Sequence, residues 1–175
     1  MRRLFPIALA ALIFALDQWT KWLIRLRLPA DGAGYVVIPG YLNIVHAENP
    51  GVAFGLLSDS TAAWRGAILI CVSALVLCYI ALLIWRSRTS AAVGLRLALA
   101  LILAGALGNL YDRVTHRTVT DFIEVHSGPH YFPVFNVADS SITVGGTLLV
   151  LLELLKGRNK RTDVNTNVSQ AHLDR

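Results

Sequence analysis

The sequence predicts an integral membrane protein, mainly α-helical, with four transmembrane helices and a small β-rich loop region on its outer face. Three observations carry that prediction. Hydrophobic residues make up 55% of the chain and charged residues 15%, with a mean hydropathy of +0.56. A water-soluble fold of this size would expose large apolar patches with such a balance. The apolar residues gather into four runs, each close to the roughly 20 residues that a helix needs to cross a bilayer. Polar groups interrupt three of those runs, and in an up-and-down bundle the interruptions fall on the same side of the membrane.

The first run, 4–24, is apolar from Leu4 to Leu16 and then carries Asp17, Gln18 and Lys21. Its start, Met1-Arg2-Arg3, mimics a secretory signal peptide, but Asp17-Gln18-Trp19-Thr20-Lys21 follows with no Ala-x-Ala cleavage site. It is read as a retained anchor helix. A long loop, Arg25 to Trp64, comes next. Within it Tyr35-Val36-Val37-Ile38 and Tyr41-Leu42-Asn43-Ile44-Val45 are β-rich runs around Pro39-Gly40, the pattern of a small hairpin. Asn49-Pro50-Gly51 then turns the chain into an apolar segment whose Phe54, Leu56 and Leu57 dip into the membrane interface.

The second run, 66–85, has no charged residue and is read as scaffold. Its Cys71 and Cys78 lie on about the same face, too far apart along the helix for a bridge, and are read as small packing residues. The third run, 91–110, holds Arg96 near its start and Asn109 at its end, with Asp112 and Arg113 just beyond. A short polar loop carrying Asp121 leads to the fourth run, 135–155, which opens with Asn136 and Asp139. Residues 1–155 are expected to form one membrane domain. Residues 156–175 are expected to be a polar cytoplasmic tail without regular structure.

Lysine and arginine counts orient the bundle. With the N-terminus inside, ten fall on the inner face and six on the outer, so both termini are expected in the cytoplasm. At about 1.5 Å per residue, Asp17 then lies roughly 20 Å above Leu4, in the outer third of the hydrocarbon layer. Asn109, Asp112, Arg113 and Asp139 reach a similar depth, and Asp121 is delivered to the same surface. The net charge of +5 lacks the basic stripe with interleaved aromatics of a nucleic-acid binder.

Carboxylates at the mouth of a membrane helix are costly to keep and are functional candidates by default. Two of them sharing a proton can activate water and protonate a carbonyl, as in aspartic proteases. Asp121 and Asp139 are the candidate pair. The plainer readings are that Asp121 caps a turn, that Asp139 answers the dipole of a helix start, and that Asp17 and Lys21 form an ordinary ion pair at i and i+4. Asn109 as interhelical glue and Arg113 reaching toward headgroups are equally ordinary.

Five motifs in order change that balance. They are Asp17-Gln18-x-Thr20-Lys21; Asn49-x-Gly51-x-Ala53-Phe54-Gly55; Gly105-Ala106-x-Gly108-Asn109-x-x-Asp112-Arg113; Val119-x-Asp121-Phe122; and Phe135-Asn136-x-Ala138-Asp139-x-x-Ile142. Together they resemble the bacterial lipoprotein signal peptidases, signal peptidase II. The resemblance implies an aspartic endopeptidase of the bacterial inner membrane, acting near the outer face. Its substrates would be diacylglyceryl-modified prolipoproteins, cut on the N-terminal side of the lipidated cysteine. It implies Asp121 and Asp139 as catalytic residues, with Asp17, Lys21, Asn49, Gly51, Asn109, Arg113 and Asn136 binding substrate or supporting the pair. Asp112 is read as a structural anchor, pairing with Arg113 or Lys21.

No cofactor and no metal are expected. His46, His116, His126 and His130, with Glu48 and Glu124, show no zinc-site spacing, and no serine sits in a nucleophile elbow. Lipidated prolipoproteins and membrane lipids are the expected partners, and the chain is expected to act as a monomer. Two other function classes fit intramembrane charges: an ion or proton pathway, and an assembly factor that packs helices through Asn and small residues. Against the first, the inner half of each run lacks a relay and no inverted repeat is visible.

Overall fold

A computed structural model of the protein describes residues 4–32, 34–51, 63–86 and 93–173. Four helices and four strands follow one another: α1 (Leu4–Arg27), β1 (Tyr35–Ile38), β2 (Leu42–Asn49), α2 (Ala63–Arg86), α3 (Val93–His116), β3 (Val119–Ser127), β4 (His130–Tyr131) and α4 (Val137–Leu173). Phe5–Arg27, Val93–His116 and Val137–Lys156 are long and apolar enough to cross a membrane. The described apolar stretch of α2, Ala67–Leu82, is shorter, although the helix itself has 24 residues. The segment with Phe54, Leu56 and Leu57 lies outside the described residues.

Helix α3 is the centre, packed against α1, α2 and α4. Most of its buried residues are small, Ala98, Ala100, Ala104, Gly105 and Gly108, beside Leu99 and the polar Asn109 and Asp112. A side chain at Gly105 would run into the carbonyl oxygen of Ala138, and one at Gly145 would meet that of Ala98 at 2.7 Å. These glycines bring the α3 and α4 backbones together, which is how helices gain contact when lipid is as apolar as leucine. Large apolar side chains point outward instead, among them Leu12, Leu75, Tyr79, Val144 and Leu154. Cys71 and Cys78, expected as packing residues, are exposed as well. A thiol is small and only weakly polar, so an apolar surround tolerates it.

The expected hairpin is present. β1 and β2 pair antiparallel around Gly40, whose φ of +80° suits a glycine turn. The segment carrying Asp121, expected as a polar loop, is instead the nine-residue strand β3. It pairs antiparallel with β2 in the register Ala47↔Asp121 and Asn49↔Val119, giving the sheet order β1-β2-β3-β4. Val119, Phe122, Ile123 and Val125 have strand-forming side chains. The pairing that realises them comes from β2, far away in sequence. Arg117, with φ 66°, closes α3 in the left-handed conformation common just past a helix end and starts β3 immediately. The sheet thus joins the two inter-helix loops into one layer over one end of the bundle.

Element ends also move. α1 continues to Arg27, α3 continues to His116, and α4 begins at Val137 rather than 135. α4 then runs as helix to Leu173, through the segment expected to lack regular structure. Extending a formed helix costs far less than nucleating one, and no proline follows Leu155 to stop it.

Candidate active site

The site is built on the start of α4. Asn136 Oδ1 accepts the amide of Asp139 at 2.9 Å, and Asp139 Oδ2 accepts the amide of Asn136 at 3.3 Å. This reciprocal pair is a capping box, satisfying helix-end donors that have no partner within the helix. A third donor, the amide of Ala138, goes to Asp17 Oδ1 of α1 at 2.9 Å. Gly108 leaves the room for this, since a Cβ there would lie 2.5 Å from Asp17 Oδ2.

Asn136 also joins the two candidate carboxylates. Its Nδ2 donates to Asp121 Oδ1 at 2.7 Å, and it belongs to the same capping box as Asp139. Among the described residues no hydrogen bond runs directly between Asp121 and Asp139. Asp121 Oδ2 accepts a second amide, Asn49 Nδ2, at 2.9 Å. Asn49 is held by its own turn, where the amide of Gly51 donates to Asn49 Oδ1 at 2.8 Å and Gly51 has φ +87°. Asp139 Oδ1 accepts Asn109 Nδ2 of α3 at 2.7 Å. Burial pushes the Asp121 carboxyl up to about 6; the Asn49 hydrogen bond opposes that shift and the nearby charge of Asp139 adds to it.

Behind the pair lies a buried ion cluster. Lys21 Nζ, fully buried, is 2.9 Å from Asp17 Oδ2, 2.9 Å from Asp112 Oδ2 and 3.0 Å from Asn109 Oδ1. Asp112 therefore pairs with Lys21 and not with Arg113. Its other oxygen has no hydrogen bond but sits 3.6 Å from Arg25, which also donates to Thr120 Oγ1 at 2.9 Å. Among the described residues Arg113 makes one long hydrogen bond, to the Asn109 carbonyl at 3.4 Å, and its buried Nε has no partner. Toward the sheet, burial would raise Glu48, but hydrogen bonds from Thr118, His46 and Thr120 outweigh it and hold the carboxyl below its ordinary range.

All ten residues singled out from the sequence therefore meet in one network drawn from α1, the β2 end, α3, β3 and α4. Arg25, Thr120 and Glu48 were not singled out. Arg25 carried a readable signal, because Asp17, Lys21 and Arg25 stand four apart on one helical face. Thr120 and Glu48 carried none, since only the β2–β3 register brings them together.

Beyond its geometry, residues 9–155 match the sequence model of the family described as signal peptidase (SPase) II. The chain belongs to that family. It is 43% identical over 156 residues to a lipoprotein signal peptidase of Solibacter usitatus, covering 89% of this chain and 93% of that one. With the lipoprotein signal peptidase of Sphingopyxis alaskensis it shares 40% over 154 residues, 87% of each chain. A solved bacterial membrane enzyme superposes with a TM-score of 0.79 at 32% identity, covering 89% of this chain and 91% of the other. As a signal peptidase II the chain is a protease of the membrane-embedded kind, and the expectation from its motifs holds.

Proposed function

We propose that this signal peptidase is an aspartyl endopeptidase with Asp121 and Asp139 as its catalytic pair, and that it cleaves diacylglyceryl-modified prolipoproteins on the N-terminal side of the lipidated cysteine. The observation that carries this reading is Asn136, whose side-chain amide donates to Asp121 Oδ1 at 2.7 Å while its backbone amide donates to Asp139 Oδ2 at 3.3 Å, so one residue at the start of α4 holds both carboxylates. One carboxylate takes a proton from water as its oxygen attacks the scissile carbonyl, while the other gives its proton to the carbonyl oxygen. The first then protonates the leaving nitrogen, the C–N bond breaks, and a hydroxyl proton of the gem-diol returns to the second. Asn49, Asn109 and Asn136 hold the pair. Arg113, whose Nε has no partner among the described residues, binds a backbone carbonyl of the substrate. The exposed apolar residues Tyr35, Val36, Val37, Ile38 and Tyr41 give the sheet a face suited to a lipid-bearing substrate.

In this reading all four helices cross the bacterial inner membrane, α2 included, and both termini are cytoplasmic, as the lysine and arginine distribution favours. The site opens at the outer face, residues 1–155 form the catalytic domain, and the enzyme works as a monomer among membrane lipids. The test is hydrolysis of a prolipoprotein peptide, with and without its diacylglyceryl group, by detergent-purified wild type, Asp121→Asn and Asp139→Asn. Each single change is expected to lower turnover by about 10³-fold or more, and the double change to cost little extra, because coupled groups act as a unit. The unlipidated peptide is expected to be cut poorly. A folded single variant with near wild-type turnover would overturn the aspartyl mechanism.

A further inference from the structure

We infer that Lys21, acting through Asn109, decides which carboxylate is the base: Asp139 takes the proton from water, and Asp121 supplies the acid proton. This rests on the catalytic pair proposed above and adds an assignment that pair leaves open.

An ammonium group has three donors and no acceptor. Lys21 Nζ can therefore meet only the oxygen end of the Asn109 amide, and it does so at 3.0 Å. Turning that amide around would aim N–H groups at the ammonium. With Oδ1 held, Nδ2 must point the other way, where Asp139 Oδ1 accepts it at 2.7 Å. Asn136 Nδ2 approaches the same Asn109 Oδ1 at 3.2 Å and enforces the same orientation. Asp17 and Asp112, each 2.9 Å from Lys21, hold the ammonium in place from two helices.

Asp139 thus faces a fixed donor on one oxygen and the Asn136 backbone amide on the other, in the first turn of a helix, where a negative charge is favoured. The charged groups around Asp139 are Arg113 of α3 and Asp121 of β3, with Lys21 of α1 behind Asn109. Asp121 lies in the middle of a strand, at no helix end, and is only 3% exposed. Its surroundings supply two neutral amides, Asn49 and Asn136, the opposing charge of Asp139, and the favourable charges of Arg113 and, most weakly, Lys21, neither of which is held to it by a hydrogen bond among the described residues. When one proton is shared between the two, it resides on Asp121. Lys21 and Asn109 are positioning residues: Asn109 orients the Asp139 carboxylate, and Lys21 orients Asn109.

The test is the pH dependence of kcat/KM on the lipidated peptide for wild type, Asn109→Ala and Asn49→Ala. Removing the donor to the base is expected to move the acidic limb of the profile up by about one pH unit and leave the alkaline limb in place. Asn49→Ala is expected to do the reverse, moving only the alkaline limb upward. Should Asn109→Ala not fold, the pair Lys21→Gln with Asp17→Asn keeps the net charge of the buried cluster and is expected to move the same acidic limb. Exchanged limbs would reverse the assignment. A lower profile with neither limb moved would make Lys21 and Asn109 merely structural. Either result, with Asp121→Asn and Asp139→Asn both inactive, sinks this inference alone; turnover by those variants sinks the catalytic pair itself.

Discussion

Helix α2 and the junction of α1, α3 and α4 are made of opposite materials. From Gly66 to Trp85 α2 holds no charged residue. It turns Val72, Leu75, Tyr79, Leu82 and both cysteines outward, and its buried members among the described side chains are Leu77 and Ile80. The junction buries Asp17, Lys21, Asn109, Asp112 and Asn136 among glycines and alanines. In water the first would count as core and the second as surface. In hydrocarbon a leucine gains little by leaving lipid for a neighbouring helix, so large apolar residues are free to face outward. A charged or amide side chain has no partner in lipid and must find one inside the bundle. Stability and chemistry are consequently drawn to the same small-residue junction, while α2 is free of both demands.

The sharpest way to break this contrast is to fill the junction. Gly108→Val puts carbon against Asp17 Oδ2 and Ala138 Cβ, at 2.5 and 3.3 Å for the first atom alone. Displacing Asp17 from Lys21 and from the Ala138 amide should cost about 3–5 kcal/mol, the usual loss when a buried ion pair is broken. Little monodisperse protein should be recovered in detergent; normal yield and melting temperature would show that the junction is not close-packed.

A subtler effect comes from pH. Asp121 rises from an ordinary 3.8 to about 6, so its folded form prefers the proton. That contribution to stability is complete below 3.8 and is lost as pH rises through about 6. Across this window wild type should lose up to about 3 kcal/mol relative to Asp121→Asn, which does not titrate. Between pH 4 and 7 the melting temperature of wild type should fall relative to that of Asp121→Asn as pH rises, and curves that stay parallel would contradict it.

The smallest effect is expected on α2. Leu75→Ala and Cys78→Ala remove side chains that face outward, and each should change stability by no more than about 0.5 kcal/mol. A loss several times larger in a thermal melt would place a partner against this face and end the contrast.

Although Arg25, Thr120 and Glu48 were not singled out, the helices, the hairpin around Gly40 and the ten polar and glycine residues that the structure gathers into one network were legible in the chain. Each announces itself locally, as an apolar run, a turn residue, or a charge where charge is expensive. Asn136 and Asp139 are three apart at a helix start, so even their mutual capping is a local matter. The strand character of β3 was not legible, and neither were the outward cysteines or the roles of Thr120 and Glu48. Asp121 reads as a loop residue until β2, more than seventy positions earlier, pairs with its strand and brings Asn49 to 2.9 Å. The sequence by itself determined which residues are too polar to be left in lipid and which are small enough to let helices meet. Tertiary structure decided which of those polar groups face one another, and hence which Asn amide donates to which carboxylate. That could not be read in advance, because a hydrogen bond is decided within tenths of an ångström, by atoms that only the packing of five separate chain segments brings into range.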